Sequence, residues 1–271
     1  MDPRAAAVLS AYTIGEGAPA TVMLHGFLGS GRNLKTFAQR VSEREGGAAL
    51  LIPDLRGHGQ SPALPDDPLS LELLARDVLA TLTAAGASAS VRFIGHSLGG
   101  RVALAAARIA PSYVAEVVLL DIPPGPIAPS HSESRGVLDL LLEAPDAAPS
   151  RKALRDYFTG RGLSLPLTDW VLMNLETLPS GGGVRWAFDR DALERLHTQC
   201  MREDLWDVVE APRARRMPIR CIYGARSHYL GEAAIARFEA AGCPVDRLES
   251  AGHFVHVDAL PELVDLLARP T

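Results

Sequence analysis

Gly95-His96-Ser97-Leu98-Gly99 sits between a strand-like run over 91–95 and a helical stretch over 98–110. A G-x-S-x-G pattern placed directly after a strand and before a helix is the mark of a nucleophile elbow. Its turn is so tight that the serine takes a strained backbone conformation, which only small flanking residues permit. The Ser97 hydroxyl then stands at the C-terminal edge of a sheet. The following helix aims its first N–H groups at any negative charge that develops there. The competing reading is a chance glycine-rich turn, and the strand before it and the helix after it argue against that.

Outward from the elbow, short apolar or β-branched runs alternate with longer helical ones. Strands are expected over 8–14, 21–25, 48–53, 91–95 and 117–121, and helices over 33–45, 70–85 and 98–110. Such alternation of continuous apolar strands with helices predicts a parallel sheet covered on both faces. The rhythm breaks after Asp121. Residues 122–218 carry amphipathic stretches (135–143, 151–158, 168–176, 191–202) punctuated by Pro145, Pro149, Pro166, Pro179 and a glycine run at 181–183, with no convincing buried strand. It resumes with strands at 219–223 and 245–248 and helices at 231–241 and 261–268. The expected organisation is a sheet domain in two segments, 1–121 and 219–271, interrupted by a helical subdomain over 122–218. A length of 271 residues, awkward for one domain or for two, is accounted for by that insertion.

Composition narrows the function. The chain is 47% hydrophobic and 22% charged, with a net charge of -5 and a mean hydropathy of +0.08, values of an ordinary globular protein. Mild acidity without a basic block argues against nucleic acid or an anionic membrane as partner. The skew of 25 arginines against two lysines, Lys35 and Lys152, reads as genome composition rather than function. Cys200, Cys221 and Cys243 are widely spaced, form no CxxC pair and suit a reducing compartment. The N-terminus makes a poor signal peptide and no run approaches the ~18 apolar residues of a membrane span, so a cytoplasmic location is expected. There is no HExxH, no His/Cys cluster and no P-loop, and neither metal nor cofactor is expected.

A nucleophile needs an oxyanion hole, a base and an acid. His25-Gly26-Phe27-Leu28-Gly29-Ser30 follows the strand over 21–25, and the backbone N–H groups of Phe27 and Leu98 are the expected oxyanion donors. A dinucleotide loop competes here, because Gly29-Ser30-Gly31 follows a strand and Asp54 ends the next one. The third glycine of that fingerprint is replaced by Leu34. Of eight histidines, His253 follows the final strand and leaves the same sheet edge as Ser97, which makes it the expected base. His256 is expected to pack at the last helix and His58 to hold the Arg56–Gly59 loop.

HGFLGS (25–30), DLRGHGQS (54–61), GHSLGGR (95–101) and AGHFVH (251–256) together resemble the α/β-hydrolase superfamily, in its order and spacing, across essentially the whole chain. That family usually carries its acid in a G-x-x-D pattern after the penultimate strand, whereas this chain reads Gly224-Ala225-Arg226-Ser227. Asp121, in Leu119-Leu120-Asp121-Ile122-Pro123-Pro124, ends the strand after the elbow helix. This is similar to the small bacterial short-chain esterase branch, with the acid after strand six and a serine after the seventh strand. The resemblance implies Asp121 as acid, Ser227 as a hydroxyl that orients His253, and a lid over 122–218. The alternative for Asp121 is a loop-capping aspartate. Trp170, Met173, Leu175, Trp186, Phe188 and Trp206 crowd the insertion, mostly as its core. Trp170 and Trp186, with His25, Leu28 and His96, are the candidate pocket residues, and Arg185 beside Trp186 resembles a lid segment of the short-chain esterases.

The implied chemistry is two-step acyl transfer on a small-molecule ester or thioester: His253 takes the proton of Ser97 and Asp121 holds the imidazole. Hydrolysis could be accompanied by acyl transfer to an alcohol or by perhydrolysis. Ser97 excludes relatives of this fold with an aspartate nucleophile. One rival is a menaquinone-pathway lyase of the same superfamily, which shares the HGF-x-GS loop and an arginine matched by Arg101, but keeps the acid where Ser227 stands. The other is an inactive hydrolase fold used as a binding module.

Overall fold

A computed structural model describes residues 5–66, 69–87, 90–179, 181–211 and 217–269. The main sheet has seven strands: β1 (Ala11–Ile14), β2 (Glu16–Leu24), β3 (Ala48–Pro53), β4 (Val91–His96), β5 (Val114–Leu120), β9 (Ile219–Gly224) and β10 (Val245–Leu248). Their order is β1-β3-β2-β4-β5-β9-β10, with β1 antiparallel to β3 and every other pair parallel. Five strands precede Asp121, so the strand six of the resemblance is the fifth strand of this chain.

Alternation along the strands divides the core in two. Val22, Leu24, Leu51, Phe93, Val117, Leu119 and Cys221 face α2 (Leu71–Ala84) and α3 (Leu98–Ile109). Met23, Leu50, Ile52, Ile94, Val118, Leu120 and Ile222 face α1 (Gly31–Arg44) and α11 (Leu260–Leu267). The remaining core helices are α9 (Glu232–Ala240) and the single turn α10 (Val255–Asp258). Among the described residues no helix is long and apolar enough to cross a membrane.

Between β5 and β9 lie α4 (Glu133–Leu142), α5 (Arg151–Thr159), α6 (Leu165–Leu172), α7 (Arg190–Arg202) and α8 (Trp206–Val209). Three of them, α4, α5 and α7, start with the usual capping chemistry: Ser132, Ser150 and Asp189 accept from the amides of Arg135, Ala153 and Ala192. The insertion is not wholly helical. It also holds a small antiparallel sheet, β6 (Ala147–Ala148), β8 (Val184–Trp186) and β7 (Leu175–Thr177), and the helix expected over 168–176 ends at Leu172 before β7 begins. Strands of two or three residues are too short to display an alternating pattern, which is why the sequence hid them.

Arg101 fastens this insertion to the core. Fully buried on α3, it donates to the carbonyls of Pro123, Pro124 and Gly125 where the chain leaves β5, and to those of Cys200 and Glu203 where α7 ends. Burial lowers its pKa to about 10, so the guanidinium stays charged at neutral pH. Glu203 also accepts from the Leu71 amide at the start of α2 (2.9 Å), a second tie between insertion and core.

Candidate active site

Three non-glycine residues among those described have positive φ: Leu28 (61°), Ser97 (52°) and Asp121 (57°). Each sits at a C-terminal strand edge or the loop after it. Strain of this kind persists only where surrounding contacts over-determine it. At the elbow, the contacts are backbone to backbone. A Cβ on Gly95 would lie 2.3 Å from the Gly99 carbonyl oxygen, and one on Gly99 would lie 2.3 Å from that of Leu24. The turn between β4 and α3 therefore closes only with glycine on both sides of Ser97. Leu98 begins α3, so its amide has no acceptor within the helix.

Asp121 is fully buried and both of its oxygens are occupied. Oδ1 accepts from the Gly224 amide at 3.0 Å. Oδ2 accepts from His253 Nδ1 at 2.6 Å and from the Ser227 hydroxyl at 2.5 Å. The loops that carry Ser227 and His253 run in contact: Arg226 donates its amide to the Ala251 carbonyl at 3.0 Å, and a Cβ on Gly224 would lie 2.2 Å from the Gly252 carbonyl oxygen. With Nδ1 committed to Asp121, the other imidazole nitrogen of His253 is left for a reacting proton.

Ser97 and His253 line one small cavity of about 30 Å³, together with Phe27, His96 and Trp170. Its remaining wall comes partly from the insertion, with Glu133 and Ser134 at the start of α4. Phe254 closes it with its ring edge-on to Trp170, 5.5 Å between centroids. His96 donates from Nε2 to the His253 carbonyl at 2.9 Å, which fixes the backbone beneath the imidazole.

Three residues expected at the pocket stand elsewhere. His25 is buried behind the loop, its Nδ1 on the Gly26 carbonyl (2.8 Å) and its Nε2 accepting from the Leu55 amide (2.8 Å). Leu28 is buried and does not line the cavity; its amide donates to His58 Nε2 at 3.3 Å and its carbonyl accepts from Asn174 of the insertion at 2.9 Å. Trp186 packs inside the insertion, stacked on Phe188 with its indole N–H on the Pro145 carbonyl. The hydrogen bonds of His25 and His58 require neutral imidazoles, and burial lowers their pKa values to about 4 and about 3. Asp54, the acid of the dinucleotide reading, is spent on the amides of Gly31 and Gln60 at 2.7 and 2.8 Å.

Several neighbours of the site carry no sequence signal. Tyr229 stacks on the His253 imidazole at 4.2 Å between centroids. His197, on α7, packs its ring 4.8 Å from that of Phe27. Tyr229 comes from the same loop as Ser227, and His197 from the insertion.

The alpha/beta hydrolase fold family matches this chain over residues 19–259. The chain belongs to that family. An esterase of Mycobacterium tuberculosis, Rv0045c, is 29% identical over 271 residues, covering 97% of this chain and 86% of its own. The mouse protein named sn-1-specific diacylglycerol lipase ABHD11 is 27% identical over 256 residues, 91% of this chain and 79% of its own. A solved structure described as a marine microorganism esterase superposes with a TM-score of 0.83 at 23% identity, covering 97% of this chain and 98% of its own. These relatives place the chain among hydrolases of the fold and bear out its resemblance to the small bacterial esterases.

Proposed function

We propose that the chain is a serine hydrolase that cleaves carboxylic esters or thioesters of short acyl groups through an acyl-enzyme on Ser97. The observation that carries this reading is the 2.6 Å bond between His253 and a buried Asp121, at the wall of the cavity that Ser97 lines. His253 takes the Ser97 proton as the hydroxyl attacks the acyl carbon, and returns it to the leaving alcohol or thiol. Asp121 holds the Nδ1 proton and balances the imidazolium, while Ser227 steadies the carboxylate. The amides of Phe27 and Leu98 receive the oxyanion. Water then repeats the sequence on the acyl-enzyme. The stretch 122–218 acts as the lid, and residues 1–121 and 219–271 as the catalytic core.

The cavity beside Ser97 holds only about 30 Å³, room for roughly two water molecules, which favours the shortest acyl groups. Among the described residues its wall includes Val137, Leu167 and Phe254 and no arginine, and Arg101 is spent on backbone carbonyls. That disfavours the lyase reading, whose pocket needs arginines for an acidic substrate. The test is a p-nitrophenyl ester series of increasing chain length with wild type and Ser97→Ala. Activity confined to short chains and abolished in Ser97→Ala supports the reading. Hydrolysis that survives in Ser97→Ala, or none on any ester, overturns it.

A further inference from the structure

We infer that Tyr229 is a positioning residue that ties the His253 imidazole to the seating of the 122–218 insertion, its ring holding the imidazole and its hydroxyl holding Ser134 of α4. The inference rests on the acid–base reading of His253 given above.

Two sets of contacts meet on this side chain. Its ring lies against the imidazole at 4.2 Å and 26° between planes, a stacked arrangement, while its amide donates to the Ser227 hydroxyl at 3.3 Å. Its hydroxyl accepts from the Ser134 amide at 3.1 Å and donates to the Ser134 hydroxyl at 3.3 Å. Ser134 goes on to His197 Nε2 at 2.8 Å, and the His197 ring packs on Phe27 in the oxyanion loop. Burial lowers the His197 pKa to about 4, so this relay stays uncharged at neutral pH. The base, the insertion helices α4 and α7 and the oxyanion loop are thus joined in one chain of contacts through Tyr229. Displacing α4 pulls on the ring that sets the imidazole plane.

The experiment compares Tyr229→Leu, Tyr229→Phe, Ser134→Ala and the Phe/Ala double variant on p-nitrophenyl acetate, with thermal unfolding as a folding control. Tyr229→Leu is expected to lower kcat by roughly tenfold to a hundredfold with KM little changed. Tyr229→Phe keeps the stack, and so recovers most of that loss. Tyr229→Phe and Ser134→Ala are expected to be strongly non-additive, because each breaks the same tie. An unchanged kcat in Tyr229→Leu, or additive losses in the double variant, overturns the inference. Should Tyr229→Leu fail to fold, the Phe/Ala cycle alone decides: additivity there overturns it. Ester hydrolysis that persists in Ser97→Ala would instead overturn the underlying reading of the site.

Discussion

At the residue scale, Asp121, the proposed acid, is the unusual member of the site. Asp121 adopts a left-handed backbone conformation and is fully buried, and its carboxylate meets a backbone amide, a hydroxyl and an imidazole. Asparagine tolerates that conformation and keeps the shape but cannot hold the Nδ1 proton as a carboxylate does. Asp121→Asn is therefore expected to fold with a far-UV spectrum like that of wild type and to lose about 10⁴ in kcat on a short ester. Ser227→Ala removes one of the two side-chain donors on Oδ2 and leaves His253 and Gly224 in place, so its loss should fall well short of that. Equal losses in the two variants would mean that the hydroxyl, not the carboxylate, sets the imidazole. Asp121 was legible in the sequence only through the resemblance: an aspartate at a strand end has bland explanations, and the three partners that single it out lie 103, 106 and 132 residues further along.

At the element scale, the strands were the clearest part of the sequence, because a buried parallel strand is a continuous apolar run with turn residues at both ends. The one expected over 48–53 matches β3 residue for residue, and 245–248 matches β10 although that edge strand, Val245-Asp246-Arg247-Leu248, is not an apolar run. Within 122–218 the helices were legible from their apolar spacing, whereas β6, β7 and β8 were not, and neither was the docking of α4 on Tyr229, which depends on packing across 95 residues. Arg101 was noticed as a motif residue, but its partners are main-chain carbonyls, to which sequence is blind. Its loss should be felt as stability. Arg101→Met strands five carbonyls at the entry and exit of the insertion, and should cost about 3–5 kcal/mol in urea unfolding. A denaturation midpoint within error of wild type would contradict the anchoring role.

At the scale of the whole molecule, the chain keeps an unusual number of imidazoles neutral. Burial lowers the pKa values of His25, His197 and His256 to about 4 and of His58 to about 3, and holds His96 well below its ordinary value. An unfolded histidine takes up its proton near pH 6.5 while these cannot, so their stability is present above that value and is lost as pH falls toward about 4. Each loses up to about 2 kcal/mol between pH 7 and pH 5, and the sum rivals the stability of a typical domain. Urea midpoints should drop steeply across that window, above the range where ordinary carboxylates titrate. A flat midpoint from pH 7 to pH 5 would show that the imidazoles are charged in the fold. Ser97, His253 and Asp121 sit within this neutral, close-packed surround, and the chemistry proposed for them can be read on a single side chain. Intact-mass and peptide mass spectrometry after treatment with a fluorophosphonate at neutral pH should find one adduct per chain, on the peptide that carries Ser97, absent from Ser97→Ala and strongly slowed in His253→Ala. No adduct, or an adduct that persists in Ser97→Ala, would contradict the assignment of Ser97 as the activated nucleophile.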